Sequence, residues 1–172
     1  MTIWTVGHST RTREEFTALL LSFGIESVAD VRSFPGSRKH PQFNKENMEV
    51  WLPQAGIRYT NIPQLGGRRR PDPGSLNTMW RHPAFRAYAD YMETPGFREG
   101  MDILTGMARE CRTAFMCSEA LWWRCHRSMI SDQLKSEGWE VIHIMGPDKS
   151  EEHPYTKAAR IEGGRLTYRG LL

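Results

Sequence analysis

The chain alternates between short apolar runs and longer segments in which apolar residues recur at helical spacing. Each apolar run is bounded by glycine, proline or polar residues, which is typical of buried strands. These runs predict strands over residues 3–7, 27–31, 57–62, 113–117 and 140–145. The helical spacing predicts helices over residues 14–23, 44–54, 83–92, 96–110 and 118–137. Ser118 is the predicted cap of the last helix, and Gly138 its end.

Strands that alternate with helices predict an α/β fold. We expect a single three-layer domain over residues 1–172, with a mainly parallel central sheet of about five strands and helices on both faces. Residues 146–172 are rich in turn-forming residues and predict a tail that packs on the domain, with one short strand at residues 165–168. Residues 68–78 show no periodicity and predict a long surface loop.

Composition narrows the class of protein. The chain has 172 residues, of which 39% are hydrophobic and 25% charged, and its formal net charge is +3. This balance predicts a globular domain with a substantial core and tolerance of anionic partners. No apolar run approaches the ~20 residues that span a bilayer, so no membrane partner is expected. The odd number of cysteines and the lack of a signal-peptide pattern predict a cytoplasmic location. Nothing in the sequence indicates an oligomeric state.

Polar residues follow several of the predicted strands. In open parallel sheets, ligands bind beyond the carboxyl ends of the strands. We therefore expect one site that gathers residues from distant parts of the sequence. The residues that this rule brings together are His8, Ser9, Asp30, Arg32, Cys117 and Glu119.

The densest chemical signal runs from Cys117 to Arg127. At the start of a helix, free backbone N–H groups and the helix dipole would favour the thiolate of Cys117, which predicts a nucleophile or redox thiol. The alternative is that Cys117 is a small buried residue. Glu119 is a candidate acid, base or orienting group. Cys125 is more simply explained by packing in the apolar stripe of the predicted helix.

His126 and Arg127 close this block. His126 would share a helix face with Trp122 and Ile130, so it is either a proton-transfer group or a buried structural imidazole. The Arg127 guanidinium suits a phosphate or carboxylate, and the alternative is an ion pair with Glu119 or Asp30.

Other candidates lie at the same edge of the predicted sheet. His8 is a candidate base, and Ser9 and Arg32 are candidate substrate ligands. Gly66 and Gly67 can form a backbone nest for an anion, although a tight turn explains them equally well. Residues 153–156 are expected to fold back as a lid over this edge.

A transition metal is an alternative ligand for the site. Cys117, Cys125 and His126, with His8, offer soft and imidazole ligands. The seven residues between the two cysteines do not match a structural zinc motif. The cofactor therefore remains open, and the sequence shows no fingerprint for a nucleotide cofactor.

Several stretches together resemble an uncharacterised bacterial and archaeal family, domain of unknown function 488. The residues that carry the resemblance are 7–9, 30–32 with Pro35 and Ser37, 65–67, 89–92, the block of Cys117 with Cys125, His126 and Arg127, and 153–156. Ser118 departs from the alanine that the family often has there. The resemblance implies a single domain with its site at the same residues, and it brings no established activity.

These observations lead to three hypotheses. The first is an enzyme, a cysteine-dependent hydrolase or transferase, that acts on a small anionic or nucleotide-like substrate. The second is a nucleic-acid binding or processing module that uses the loop at Arg68, Arg69 and Arg70, together with Arg81, on phosphates. Trp80, Trp122 or Trp123 would stack on bases. The third is a metal-binding or redox-sensing protein.

Overall fold

A computed structural model describes residues 1–171 as eight strands and five α-helices. The strands are β1 Thr2–Gly7, β2 Ser27–Asp30, β3 Arg58–Asn61, β4 Thr113–Cys117, β5 Glu140–Gly146, β6 Lys149–Glu152, β7 Arg160–Glu162 and β8 Arg165–Thr167. The helices are α1 Arg13–Ser22, α2 Lys45–Gln54, α3 Pro83–Tyr91, α4 Pro95–Glu110 and α5 Arg127–Ser136. No helix of the described part is long and apolar enough to cross a membrane.

Six strands form the central sheet in the order β3-β2-β4-β1-β5-β6. The first five are parallel, and β6 pairs antiparallel with β5 at one edge. After β1 the chain continues to β2, toward the β3 edge of the sheet. After β4 it continues to β5, toward the opposite, β6 edge. The neighbouring strands β1 and β4 therefore form a switch point, where a crevice opens beyond their carboxyl ends.

Alternate residues of the strands enter two separate cores. One core packs the sheet against α1 and α2, and β4 contributes Ala114 and Met116 to it. The other packs the sheet against α3, α4 and α5, and β4 contributes Phe115 and Cys117. The fold is therefore the predicted three-layer α/β sandwich, and the two-residue period of β4 points the Cys117 side chain into the α3–α5 layer.

The sequence-based prediction was wrong at one helix. Residues 118–126 form a loop with a single 3₁₀ turn, Trp122–Arg124, and α5 begins only at Arg127. Cys117 therefore does not lie at a helix N-terminus.

The tail contains more strand than its sequence predicts. The short strand expected at residues 165–168 is present as β8, where it pairs with β7 in a hairpin. The strands β6 and β7 were missed because they are short and exposed throughout, and Ile161 is their one apolar residue, so they lack the apolar alternation that marks a strand. Charged residues of this kind are common on edge strands.

Gly7 ends β1 where the backbone of the 118–126 loop comes very close. A Cβ atom at this position would lie 1.8 Å from the Glu119 carbonyl oxygen and 2.6 Å from its carbon. Both atoms belong to the backbone, so only a shift of the loop would relieve the clash.

We predict that Gly7→Ala lowers the free energy of unfolding by about 2 kcal/mol, because it overpacks backbone against backbone. The matched control is Gly106→Ala in α4, where a Cβ would meet nothing within 4 Å. That variant is expected to gain about 0.5–1 kcal/mol from the better helix propensity of alanine. Urea denaturation measures both, and equal stability of the two variants would contradict the close packing at Gly7.

Candidate active site

A pocket of about 560 Å³ opens at the carboxyl end of the sheet. The strand register places the ends of β1, β2 and β4 side by side, with Gly7 opposite Cys117 and Asp30 opposite Met116. Backbone pairing continues past the strands, because His8 N donates to Cys117 O at 2.9 Å. Parallel strands thus bring distant parts of the sequence to one cleft.

Two cysteine sulfurs meet at the floor of this pocket. Cys117 ends β4, the loop turns back, and Cys125 returns so that its Sγ lies 2.8 Å from Cys117 Sγ. Both residues are buried free thiols that line the pocket. Cys125 is therefore not a packing residue of a helix, as its spacing predicts, but the partner of Cys117.

Arg127 lies behind the thiol pair and is only 1% exposed. Its Nε donates to Cys117 Sγ at 3.0 Å, Nη1 to Thr5 Oγ1 at 2.8 Å and Nη2 to the Glu119 carbonyl at 2.6 Å. The guanidinium is thus engaged inside the protein and does not line the pocket. We no longer assign Arg127 to the substrate, and neither alternative ion pair, with Glu119 or with Asp30, is formed.

The guanidinium needs a negative partner, because a buried charge without one is strongly disfavoured. Within residues 1–171, no carboxylate forms an ion pair with Arg127. Burial lowers the pKa of Arg127, and negative charge on the sulfurs that it contacts, Cys117 and Cys125, outweighs burial and raises that pKa. The geometry therefore favours one thiolate, with the remaining proton held between the two sulfurs.

Cys125 is the better position for that thiolate. Burial by itself raises the pKa of Cys125, but the hydrogen bond from the Cys117 thiol and the Arg127 charge outweigh it and lower the pKa to about 7. The Arg127 backbone N–H also donates to Cys125 Sγ at 3.4 Å, at the first residue of α5. Burial and the bond to Cys125 raise the pKa of Cys117 well above its ordinary value. The helix-terminus argument made for Cys117 thus applies to Cys125.

His126 lies beside Cys125 in a fixed orientation. One ring nitrogen, Nε2, lies 2.8 Å from the Val31 carbonyl, which can only accept a hydrogen bond. Nε2 therefore carries the proton, and Nδ1, 3.4 Å from Cys125 Sγ, is the ring acceptor that can take the proton of the Cys125 thiol. Burial lowers the pKa of His126, which keeps the ring neutral. Gly67 packs against the same ring, and a Cβ there would lie 2.7 Å from Nδ1.

His8 and Arg32 form the opposite wall. Arg32 makes a two-pronged ion pair with the buried Asp30, at 2.8 and 2.7 Å, and its Nη1 lies 3.3 Å from His8 Nε2. His8 Nδ1 donates to the Ser9 carbonyl at 2.8 Å, so Nε2 accepts from Arg32. Burial, opposed by the bond to Ser9 and helped by the Arg32 charge, lowers the pKa of His8 to about 4. With both nitrogens engaged, His8 supports Arg32, and we no longer assign proton transfer to it.

The pocket brings together most, but not all, of the predicted site residues. Those that line it are His8, Arg32, Gly67, Cys117, Glu119, Cys125 and His126. Those outside the lining are Ser9, Asp30, Gly66 and Arg127. Asp30 is buried beneath Arg32, and Gly66 packs against Ser33, which explains why these two do not reach the cavity.

The pocket also contains residues beyond the seven just named. The additional lining comes from Arg68 and Arg124, from the loop after β2, and from α3 with Phe85 and Tyr88. The loop after β2 obeys the same strand-end rule, which should have included it. The contribution of α3 has no such signal, because it depends on how that helix packs over the edge.

A comparison with protein-family models finds one match, to a domain of unknown function, DUF488, over residues 12–134. This range is well over half of the chain and includes the whole cysteine block. The chain belongs to the DUF488 family. Comparisons with curated proteins and with solved structures find no match.

The loop that contains Arg68, Arg69 and Arg70 in this DUF488 domain has two arginines exposed to solvent and one that packs against the protein. Arg68 and Arg70 are exposed, whereas Arg69 lies over the Tyr91 ring at 3.4 Å and donates to the Gly66 carbonyl. Of the tryptophans proposed for stacking, Trp122 packs flat on His143 and Trp80 packs between Phe85 and Tyr168. Trp123 alone of these three is substantially exposed, at 47%.

The metal and lid interpretations find no support in the geometry. Among the residues described, no group of three or more His, Cys, Asp and Glu side chains is arranged to hold a metal ion. Two thiolates on one tetrahedral zinc would lie about 3.8 Å apart, farther than the 2.8 Å between Cys117 Sγ and Cys125 Sγ.

The prediction that residues 153–156 form a lid was wrong, because His153 is buried in the core.

The thiol pair predicts a pH-dependent reactivity. Alkylation of Cys125 by iodoacetamide, located by mass spectrometry, should follow an apparent pKa of about 7. Cys117→Ala removes the donor to Cys125, and Arg127→Gln removes the cation, so each should move that pKa toward the ordinary ~8.5. Faster alkylation of Cys117 than of Cys125, or an unchanged pKa in both variants, would refute the assignment.

The buried neutral His8 predicts acid sensitivity. Its folded-state pKa of about 4 lies below the ordinary 6.5, so the unfolded chain binds the proton more readily. Stability is therefore lost as the pH falls from about 6.5 toward 4. Between pH 7 and 5 the wild type should lose about 2 kcal/mol more than His8→Gln, measured by urea unfolding. Parallel losses in both proteins would show that His8 is not held neutral.

Proposed function

We propose that this DUF488 domain is a cysteine-dependent hydrolase or transferase that acts on a small anionic or nucleotide-like substrate. The observation that carries the proposal is the contact of the buried Arg127 guanidinium with the thiol pair, at 3.0 Å from Cys117 Sγ, on the floor of an open pocket. A cation that is held against a thiol favours the thiolate, which is the nucleophilic form of cysteine.

The walls of the pocket support an anionic substrate. Arg32, Arg68 and Arg124 line it, and Glu119 is the one carboxylate among its lining residues. Arg68 and Arg124 form no ion pair with any residue from 1 to 171. Planar guanidinium groups bind phosphate and carboxylate through paired hydrogen bonds. In this proposal, Arg68 and Arg124 replace Arg127 as the residues that bind the anion.

An aromatic surface at the rim supports a substrate with a flat apolar part. Phe34 lines the pocket although it is 78% exposed, and the partly exposed Phe85 lines it from α3. A nucleobase can stack on such a ring. This arrangement favours a nucleotide-like anion over a simple inorganic one.

The residues present can supply each step of a displacement. Cys125 sulfur forms a bond to the electrophilic atom of the substrate while the bond to the leaving group breaks, and the leaving group departs with the electron pair. Neutral His126 can accept a proton through Nδ1, and Glu119 at the pocket wall can exchange protons with the leaving group or with water. Water in a hydrolase, or a second acceptor in a transferase, then displaces the Cys125 thiolate.

The proposed function also implies a cellular compartment for the protein. Cys111, Cys117 and Cys125 are all free thiols. A nucleophilic thiol that lies beside a second thiol needs a reducing environment to stay in that form. We therefore propose that the protein works in the cytoplasm.

The nucleic-acid hypothesis is the second candidate, and exposed residues favour it. Arg68, Arg70 and Trp123 are exposed together with Phe34. It has less support, because Trp122 is buried against His143 and Trp80 packs against Phe85 and Tyr168, which leaves Trp123 as the one well-exposed tryptophan of the three. Oligonucleotides that bind more tightly than mononucleotides, with strong weakening by salt, would favour this candidate.

Protection of Cys125 tests the anion site. Pyrophosphate or adenosine monophosphate should slow the alkylation of Cys125 by neutral iodoacetamide, because each would occupy the pocket above the thiol. The Arg68→Gln, Arg124→Gln double variant should need about tenfold more anion for the same protection, since it loses charge-assisted hydrogen bonds.

The matched control is the Arg160→Gln, Arg165→Gln double variant, which removes two exposed arginines on β7 and β8 outside the pocket. This variant should keep the protection of the wild type. An equal loss in both proteins would mean that only the overall charge matters. No protection by either anion in the wild type would overturn the anionic-substrate proposal.

A further inference from the structure

Behind the thiol pair, the protein contains a polar network that the proposed reaction does not use directly. The buried network consists of Thr5 in β1, Asp132 in α5, His143 in β5 and His153, which follows β6. None of the four is more than 1% exposed, and none lines the pocket. Polar groups are rarely placed so deeply without a reason, because each must recover the hydrogen bonds that it loses with water.

The network starts at the Arg127 guanidinium. Arg127 Nη1 donates to Thr5 Oγ1 at 2.8 Å, and Thr5 Oγ1 lies 2.7 Å from His143 Nδ1. Next, His143 Nε2 lies 2.8 Å from His153 Nδ1, and His153 Nε2 lies 2.8 Å from Asp132 Oδ1. Three groups, Thr5, His143 and His153, thus connect the cation beside the thiols to the Asp132 carboxylate in the core.

Arg127 can only donate and the Asp132 carboxylate accepts, so the hydrogen bonds of the network can all run in one direction, from Arg127 to Asp132. Thr5 accepts from Arg127, so its hydroxyl proton goes to His143 Nδ1. His143 then carries its proton on Nε2 and donates to His153, which donates from Nε2 to Asp132. Burial, the neighbouring His153 and the charge of Arg127 all lower the pKa of His143, which supports the neutral form.

The far end of the network is anchored and closed. Asp132 also accepts from Thr156 N at 3.0 Å, from Thr156 Oγ1 at 2.6 Å and from Tyr168 OH at 2.7 Å. Tyr168 is itself buried. The network therefore ends inside the protein, which suits a fixed support better than a path for protons to solvent.

We propose that Thr5, His143, His153 and Asp132 are positioning residues, which hold the Arg127 guanidinium against the Cys117–Cys125 pair through one directed row of hydrogen bonds. The Asp132 carboxylate, at the end of the network farthest from Arg127, accepts the last hydrogen bond and so keeps all the donors oriented toward it. The catalytic use of this support rests on the proposed function, whereas its effect on the thiols does not. The titratable groups that face the thiol pair are Arg127, His126 from the same loop, Glu119 at the pocket wall and Tyr88 from α3.

The decisive variant is Thr5→Val, which removes one hydroxyl without a change of charge. Without its acceptor the guanidinium loses its fixed position, so the Cys125 thiolate loses stabilisation. We expect the ratio of the Cys125 alkylation rate at pH 6.5 to the rate at pH 9 to fall about tenfold. A change of this size corresponds to the loss of one charge-assisted hydrogen bond. Thr5→Ser keeps the hydroxyl and should restore the wild-type ratio.

The control is Thr105→Val in α4. Thr105 is also buried, and its hydroxyl donates to the Met101 carbonyl at 2.9 Å, away from the network. This variant should lower stability without a change in the ratio. In the Arg127→Gln background, Thr5→Val should have no further effect, because the group that it positions is gone. An unchanged ratio in Thr5→Val, or the same fall in the Arg127→Gln background, would overturn the proposal.

A measurement on the wild type keeps the proposal testable if Thr5→Val does not fold. Nitrogen NMR of the imidazole rings should show His143 as the neutral Nε2–H form at neutral pH. A charged His143 ring, or a proton on its Nδ1, would refute the row of donors. Neither this measurement nor the alkylation ratio needs a substrate, so a failure of anion binding would leave the inference standing.

Discussion

The site is organised by one buried cation. Arg127 is almost completely removed from water, and its guanidinium contacts a sulfur, a threonine hydroxyl and a backbone carbonyl rather than a carboxylate. A charge in this position is tolerated only if its surroundings supply negative charge and acceptors. The thiol pair supplies them on the pocket side. On the core side, Thr5 and the two histidines lead to Asp132.

The fold makes this arrangement possible by bringing distant parts of the sequence together. Thr5 and Cys117 come from the adjacent parallel strands β1 and β4, while Arg127 and Asp132 come from α5. Gly7 allows the Glu119 carbonyl close enough to β1 to accept from Arg127. The same loop thus sets the position of the guanidinium and forms the floor of the pocket. A shift of that loop would disturb both.

Much of this architecture could be predicted from the sequence. Buried parallel strands are continuous apolar runs, and the rule that ligands bind at their carboxyl ends correctly brought His8, Arg32 and Cys117 to one cleft. The loop after Cys117 could not be predicted in this way, because its spacing also fits a helix. A helix over these residues would place Cys125 about 12 Å from Cys117 along its axis. The loop instead returns Cys125 to the sulfur, and this tertiary contact outweighs local propensity.

The buried network was also beyond the reach of sequence reasoning. Each histidine in it is an isolated residue in its segment, and only the pairing of β5 with β1 and the return of His153 place them in line. His153 was expected in a lid because it lies in a turn-rich tail. Its partner Asp132 explains the difference, because a carboxylate buried in α5 must find donors inside the protein.

The central claim is that Arg127 maintains a single thiolate in the Cys117–Cys125 pair. Ultraviolet absorbance of thiolates, followed through a pH titration of the Cys111→Ser protein, counts ionised thiols directly. The structure predicts one thiolate per molecule with a midpoint near pH 7, and a second that appears only at much higher pH. A titration in which neither thiol ionises below the ordinary ~8.5 would contradict the claim.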